Sequence, residues 1–194
     1  MTIIMPTYIE GERITLDIPV EPTFELAVEA YKEIEQSREN LSRFLPWANS
    51  TTKPEHYFSY LLNYAAQGYK DKTKFAYIIR NKITGKFLGV IDLNKADNEN
   101  KSTEIGYWLS DNATGHGYMH EAVKTLEKAA FENGFNRIVI LNATDNMPSV
   151  NVAKNAGYTL EGVMKEYRLS GDGTKFLDAN LWAKTKSQWE KENE

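Results

Sequence analysis

Hydrophobic and polar residues recur at two different spacings along the chain, and the spacing changes near residue 75. From Thr23 onward the apolar positions repeat every three or four residues, which predicts a first helix. A second, tyrosine-rich helix is predicted over residues 57–69, behind a capping-box pair formed by Thr52 and Glu55. Ahead of these helices, residues 14–16 predict a short first strand.

Strand patterns dominate from residue 75 to residue 109. Two runs rich in β-branched and aromatic residues, 75–79 and 87–93, flank the turn Thr84-Gly85-Lys86 and predict a hairpin. A further strand is predicted over residues 103–109.

The following segment returns to helical spacing. Its apolar stripe predicts a helix that begins at Tyr118 and ends at the Asn133-Gly134 cap. Residues 138–141 are apolar at every position, which predicts a strand that is buried on both faces and is often parallel to its neighbour.

The end of the chain combines a short helix with a hairpin. Asn146-Met147-Pro148 begins the helix and Gly157 ends it. Two alternating runs, 158–169 and 176–183, surround Ser170-Gly171-Asp172-Gly173 and predict the hairpin. Residues 184–194 are rich in Lys and Glu, and we expect them to form a polar tail that frays.

The order of elements is therefore strand, two helices, three strands, helix, strand, helix and two strands. This order predicts an α/β (mixed α+β) fold in which helices pack on one mixed sheet. The chain has 194 residues, which is the size of one domain, so we expect a single domain over residues 1–194.

Composition narrows the function classes. Apolar residues make up 41% and charged residues 26%, as in ordinary soluble proteins, so we expect a soluble, unprocessed, cytoplasmic protein without a membrane segment. The net charge of -4 disfavours nucleic acid as a partner. Cysteine is absent, which excludes disulfides, thiolate metal sites and a cysteine nucleophile.

The strongest chemical signal is the junction Ala113-Thr114-Gly115-His116-Gly117 in front of the helix at Tyr118. Two glycines let the backbone approach a ligand, and the unpaired N–H groups of a helix N-terminus favour a phosphate. A helix entry that merely needs flexible residues is the alternative. His120 stands where a dinucleotide fingerprint has its third glycine, and no Walker Lys-Ser/Thr pair follows, so both nucleotide motifs fail.

Several motifs in this order resemble the GNAT acetyltransferases, and most closely their RimJ/RimL-like group of ribosomal-protein N-terminal acetyltransferases. The resemblance spans nearly the whole chain. It rests on Leu45-Pro46-Trp47, Glu104-Ile105-Gly106-Tyr107-Trp108-Leu109, Thr114-Gly115-His116-Gly117-Tyr118-Met119, Asn146-x-x-Ser149, Gly157-Tyr158 and Leu160-Glu161-Gly162. It implies a mostly antiparallel mixed sheet of about six to seven strands, about four flanking helices, and acetyl-CoA as cofactor.

The resemblance also implies which residues bind the cofactor. Thr114 departs from the family's usual Gln or Arg, which removes a long side chain near the phosphates but keeps the backbone donors. Met119 stands at the motif's final Gly/Ala position. The implied cofactor-binding residues are Trp108, Leu109, Thr114, Gly115, His116, Gly117, Tyr118, Met119, Asn146 and Ser149.

For catalysis, the resemblance implies direct attack of an amine on the acetyl thioester in a ternary complex. Glu104 is the first candidate for the general base, and a charge on the solvent side of a strand is its alternative. Ser149 would assist the departing sulfur, although both Ser149 and its neighbour Asn146 could serve only to cap the helix. Glu166 is a second, weaker candidate for the general base. The residue two positions later, where some relatives have an acidic side chain, is Arg168 here.

The acceptor is the least determined part. The resemblance favours a protein α-amino group, whose pKa of about 8 makes it easier to deprotonate than lysine. Trp47, Tyr57 and Glu166 are the candidate acceptor-site residues. A small-molecule amine such as a polyamine or antibiotic, and a CoA-binding module without transfer activity, remain alternatives, as do monomer and homodimer.

A metal site is not expected. His116 and His120 are four residues apart with Glu121 following, which faintly resembles a zinc motif. That motif requires Glu directly after the first His, where this chain has Gly117.

Overall fold

A computed structural model describes residues 2–194, and its strands form one sheet. The sheet order is β1-β2-β3-β4-β5-β6-β8-β7. Eight strands are one more than the upper end of the expected range, because β1 was not predicted. The strands are β1 Tyr8–Glu10, β2 Ile14–Asp17, β3 Phe75–Asn81, β4 Phe87–Asp97, β5 Ser102–Leu109, β6 Arg137–Ala143, β7 Thr159–Leu169 and β8 Phe176–Thr185.

The helices are more numerous than the four expected, since the region between β2 and β3 is divided into short segments. Pro46 and Pro54 each occupy a first-turn position and start a new helix. The helices are α1 Phe24–Gln36, α2 Arg38–Ser42, α3 Pro46–Ser50, α4 Pro54–Tyr60, α5 Gln67–Asp71, α6 Tyr118–Glu132, α7 Met147–Asn155 and α8 Lys186–Glu192, with a π-helical segment Leu61–Ala66 joining α4 to α5. Among residues 2–194, no helix has both the length and the apolar character to cross a membrane.

The predicted capping box before α4 is wrong. The N-cap of α4 is Lys53, which makes no side-chain cap hydrogen bond, and the Thr52 hydroxyl lies 3.4 Å from His56 Nδ1 instead. A capping box is found at α8, where Thr185 and Gln188 exchange hydrogen bonds.

The C-terminal segment is also different from the prediction of a fraying tail. Lys184 is only 1% exposed, and its ammonium group lies 2.7 Å from Glu192 Oε2. Trp189 packs on the core that Phe131 belongs to. A buried cation and an aromatic anchor therefore hold α8 against the domain.

All neighbouring strands are antiparallel except β5 and β6, which are parallel and connected through α6. Their pairing ends at Ile105↔Ile140. Beyond this pair β5 continues to Leu109 and β6 to Ala143, so their facing edges separate. The separation opens a cleft in the middle of the sheet.

Helices cover both faces of the sheet and form two cores. One core includes Ile105 of β5 and the apolar stripe of α6. The other includes Trp108 of β5, together with residues of α1, α3 and α4. Successive residues of β5 therefore point to opposite faces, as strand geometry requires.

Candidate active site

The cleft between β5 and β6 is part of a cavity of about 1150 Å³. The cavity extends from the start of α6 past the first turn of α7 to α3 and α4 on the other side of the sheet. Most of the residues predicted for the site line it, namely Trp47, Tyr57, Glu104, Trp108, Leu109, Thr114, Gly115, Gly117, Tyr118, Met119, Asn146 and Ser149. His116 and Glu166 are not on its wall.

The loop before α6 adopts a conformation that depends on glycine. Gly115 and Gly117 both have φ of +77°, and Gly117 is the N-cap of α6. A Cβ atom at Gly115 would meet nothing within 4 Å among the described residues, so open space faces the loop. The first-turn N–H groups of α6 are thus available to an anion.

Arg13, which directly precedes β2 and was not among the predicted site residues, contacts this loop. Its guanidinium donates to the His116 carbonyl at 3.0 Å and to Glu121 Oε2 at 2.8 Å, and it lies over the Tyr118 ring at 5.1 Å. Its positive charge is paired with the Glu121 carboxylate, so Arg13 fixes the shape of the loop, and the partial positive charge there comes from the helix N-terminus. The His116 ring stacks on Tyr118 rather than facing the cavity.

These residues fit a pyrophosphate group. Free backbone donors at the helix N-terminus and the absence of side chains at the two glycines both favour a multiply charged anion. Farther along the cleft, Asn142 Nδ2 is buried without a partner among the described residues. It is a donor available to an amide carbonyl of a bound pantetheine arm.

Ser149 is positioned by two neighbours. The Asn146 side chain accepts from the Ser149 backbone N–H at 3.3 Å, which confirms Asn146 as the N-cap of α7. The Tyr107 hydroxyl lies 2.9 Å from Ser149 Oγ. Burial raises the pKa of Tyr107 to about 12, so its phenol stays protonated at neutral pH. No sequence signal singled out Tyr107, because its partner is 42 residues away.

Glu104 lies on the cavity wall, on the same face of β5 as Trp108. Its Oε2 is 2.8 Å from the Lys95 ammonium group, and this hydrogen bond raises the pKa of Lys95. The carboxylate is thus held in place while still facing the cavity.

Aromatic residues line the opposite wall. The Trp47 ring lies 5.8 Å from the Trp108 ring, centroid to centroid, at the junction of α3 and the sheet. Tyr57 is 3% exposed, and its hydroxyl has no partner among residues 2–194.

Glu166 is not brought to this wall. A bulge between Met164 and Arg168 shifts the register of β7, and Glu166 has φ of 49°. Its side chain is exposed, and its N–H donates to Asp178 Oδ1 at 3.0 Å. Arg168 lines the cavity instead and donates to the Leu141 carbonyl.

A charged cluster on β4 and directly before β3 was also not among the predicted site residues. Lys74 Nζ lies 2.8 Å from Asp92 Oδ2 and 2.7 Å from Asn94 Oδ1, and the Asn94 amide donates to Asp92 Oδ1. All three residues line the cavity. A Cβ atom at Gly106 would come within 2.7 Å of Asp92, so glycine makes room for the cluster.

Comparison with known proteins identifies relatives of the chain. The Ribosomal-protein-serine acetyltransferase of Escherichia coli (strain K12) is 35% identical over 100 residues, which are 51% of this chain and 55% of that protein. The Putative ribosomal N-acetyltransferase YdaF of Bacillus subtilis (strain 168) is 34% identical over 83 residues, 42% of this chain and 45% of that protein. The chain thus matches about half the length of these curated relatives.

Solved structures match over nearly the full length. The Microcin C7 self immunity acetyltransferase MccE, in complex with acetyl-CoA and AMP, has a TM-score of 0.82 and 28% identity, covering 90% of this chain and 93% of that chain. RimL, a ribosomal L7/L12 alpha-N-protein acetyltransferase in complex with coenzyme A, has a TM-score of 0.83 and 23% identity. The match covers 94% of this chain and 97% of that chain. The family model described as acetyltransferase (GNAT) domain matches residues 20–159 of this chain. This is well over half of the chain, which therefore belongs to the GNAT acetyltransferase family.

Proposed function

We propose that this protein transfers the acetyl group of acetyl-CoA to the N-terminal α-amino group of a protein, with ribosomal proteins as the first candidates. One observation carries the proposal: a single cavity joins the glycine loop of α6, the Tyr107–Ser149 pair and an aromatic acceptor wall. The names of the relatives support both the reaction and the ribosomal acceptor. Action on ribosomal proteins would also place the protein in the cytoplasm.

The cofactor would lie along the cleft. When bound, acetyl-CoA supplies an acetyl thioester. The backbone N–H groups from Gly115 to Met119 would hold its phosphates, in a loop that Arg13 fixes through the His116 carbonyl. The separated edges of β5 and β6 leave backbone groups near Trp108 and Leu109 for the pantetheine arm and the acetyl carbonyl.

Ser149 and Tyr107 would assist the leaving group. With its phenol protonated, Tyr107 can donate to Ser149 Oγ, which leaves the serine proton free to point to a departing sulfur. A thiol has an ordinary pKa of about 8.5, so this assistance is moderate in size. Glu104 would accept the proton of the acceptor amine, directly or through water. The chain has no cysteine to form an acetyl-cysteine, which favours direct transfer.

A small-molecule amine is the second candidate acceptor. The complex of MccE contains AMP together with acetyl-CoA. Trp47 and Trp108 form an aromatic wall on the proposed acceptor side of the cavity, and a planar base can stack on such a wall.

The test is release of free CoA in the presence of a panel of amines, read with a thiol reagent that the cysteine-free protein does not consume. The panel contains ribosomal N-terminal peptides, polyamines and an aminoacyl nucleotide. We expect the peptides to release CoA fastest, and Ser149→Ala and Glu104→Gln each to lower turnover while retaining acetyl-CoA binding. Binding of acetyl-CoA with no CoA release from any amine would instead indicate a binding module.

A further inference from the structure

The Lys74–Asp92–Asn94 cluster lies on the face of the sheet that carries Glu104 and Trp108, next to apolar neighbours. Asp92 is paired in the sheet with Ala76 on one side and Gly106 on the other, and Val90 and Ile78 lie one step along the same face. A buried ion pair in such a setting is rarely better for stability than apolar residues of the same volume. Stability alone therefore gives no reason for a carboxylate here.

Asp92 keeps the capacity to bind a further donor. Its oxygens accept from two side chains, Lys74 on Oδ2 and Asn94 on Oδ1, and from the Gly106 backbone, whereas a carboxylate offers about four acceptor sites. The Lys74 ammonium is 5.3 Å from the centre of the Tyr60 ring, whose face also attracts the cation. Burial raises the pKa of Asp92, and the Lys74 charge opposes this, favouring the ionised carboxylate.

Tyr57 lines the same cavity, and its buried hydroxyl has no partner among the described residues. Burial raises its pKa well above 10, and the charges of Tyr60 and Asp92 add to this effect. The phenol is therefore a permanent donor at neutral pH. A buried hydroxyl without a partner is destabilising, and an incoming acceptor oxygen would remove this penalty.

We propose that Asp92, held by Lys74 and Asn94, binds the ammonium group of the acceptor, and that the Tyr57 hydroxyl donates to the carbonyl oxygen next to it. An ammonium group with a neighbouring carbonyl defines an aminoacyl N-terminus. A polyamine has the first group but lacks the second. This inference rests on the proposed function and specifies the acceptor that the site selects.

The test measures acceptor binding without turnover. The protein is loaded with CoA, and a tripeptide amide that begins with serine is titrated in by calorimetry, beside spermidine. Asp92→Asn should weaken both ligands at least tenfold while CoA affinity changes less than twofold. Asp178→Asn is the matched control, because Asp178 also pairs with a lysine, at 2.7 Å, but lies outside the cavity wall.

Tyr57→Phe separates the two contacts. This substitution should weaken the binding of the tripeptide about tenfold and leave the binding of spermidine unchanged. Equal weakening of both ligands would overturn the role of the hydroxyl, and unchanged tripeptide affinity in Asp92→Asn would overturn the ammonium site. If Asp92→Asn fails to fold, Asp92→Asn with Lys74→Met removes both charges and must show the same loss.

Turnover provides a second measurement. In the CoA-release assay Asp92→Asn should raise KM for the peptide about tenfold, and Asp92→Glu should recover part of the loss. A wild-type protein that binds the tripeptide at Asp92 but releases no CoA would refute the proposed transfer and leave the ammonium site standing.

Discussion

Replacing Lys184 by Met should destabilise the protein strongly, although the residue lies far along the chain from the predicted site. The Lys184 ammonium donates to the Ala156 carbonyl at 2.6 Å and to Glu192 Oε2 at 2.7 Å, and it lies 3.4 Å from Glu127 Oε1. Glu127 is fully buried. Methionine would fill the space but leave Glu127 with Lys124 as its one remaining cationic partner.

The expected loss follows from the cost of a buried charge that Lys124, with 38% of its side chain exposed, compensates only in part. Breaking a buried pair on one side costs about 3–5 kcal/mol, out of a total stability of about 5–15 kcal/mol for a typical domain. For a chain of this size, 1 kcal/mol corresponds to about 2–4 °C in Tm. We therefore expect Lys184→Met to lower Tm by roughly 6–20 °C.

Thermal and urea unfolding, followed by circular dichroism, measure this loss. Lys186→Met is the matched control, because 38% of the Lys186 side chain is exposed and its ammonium lies 4.0 Å from Glu190 on the same helix. It should change the free energy of unfolding by less than about 0.5 kcal/mol. Adding Glu127→Gln to Lys184→Met should recover part of the loss, since the buried negative charge is then gone. A Tm for Lys184→Met equal to that of the control would refute the reasoning.

Three further predictions concern the site and the pH dependence. Tyr107→Phe should lower turnover roughly 2- to 13-fold, the value of one hydrogen bond, with acetyl-CoA affinity unchanged by calorimetry. Gly117→Glu should abolish acetyl-CoA binding by filling and repelling the phosphate site. Gly85→Glu, at a similar positive φ in a distant turn, should retain it. Hydrogen bonds within its own turn lower the pKa of Asp172 from 3.8 to about 2. Its stabilisation is complete above pH 3.8 and is lost toward pH 2, so the Tm difference from Asp172→Asn should shrink over that range.

Local patterns were sufficient for most of the elements. The hairpin of β3 and β4, the helix α6 behind its glycine loop, and the cap of α7 at Asn146 all depend on residues within a few positions of one another. Two local predictions were wrong, one because of a nearby proline and one because of a contact between distant residues. Pro54 displaced the capping box of Thr52, and the burial of Lys184 turned an apparently loose tail into a docked helix.

The residues of the site likewise divide into those that a motif indicates and those that only contacts in the folded chain reveal. The sequence by itself indicated the glycine loop, Ser149 and Glu104, which line one cavity, because a motif resemblance carries residues that lie within one loop or strand. Only the tertiary structure decided that Tyr107 meets Ser149, that Arg13 meets the loop 103 residues away, and that Asp92 shares a cavity wall with Trp47. It also removed Glu166 from that wall through a bulge. Such contacts depend on strand register and on the separation of β5 from β6, which no local pattern of residues encodes.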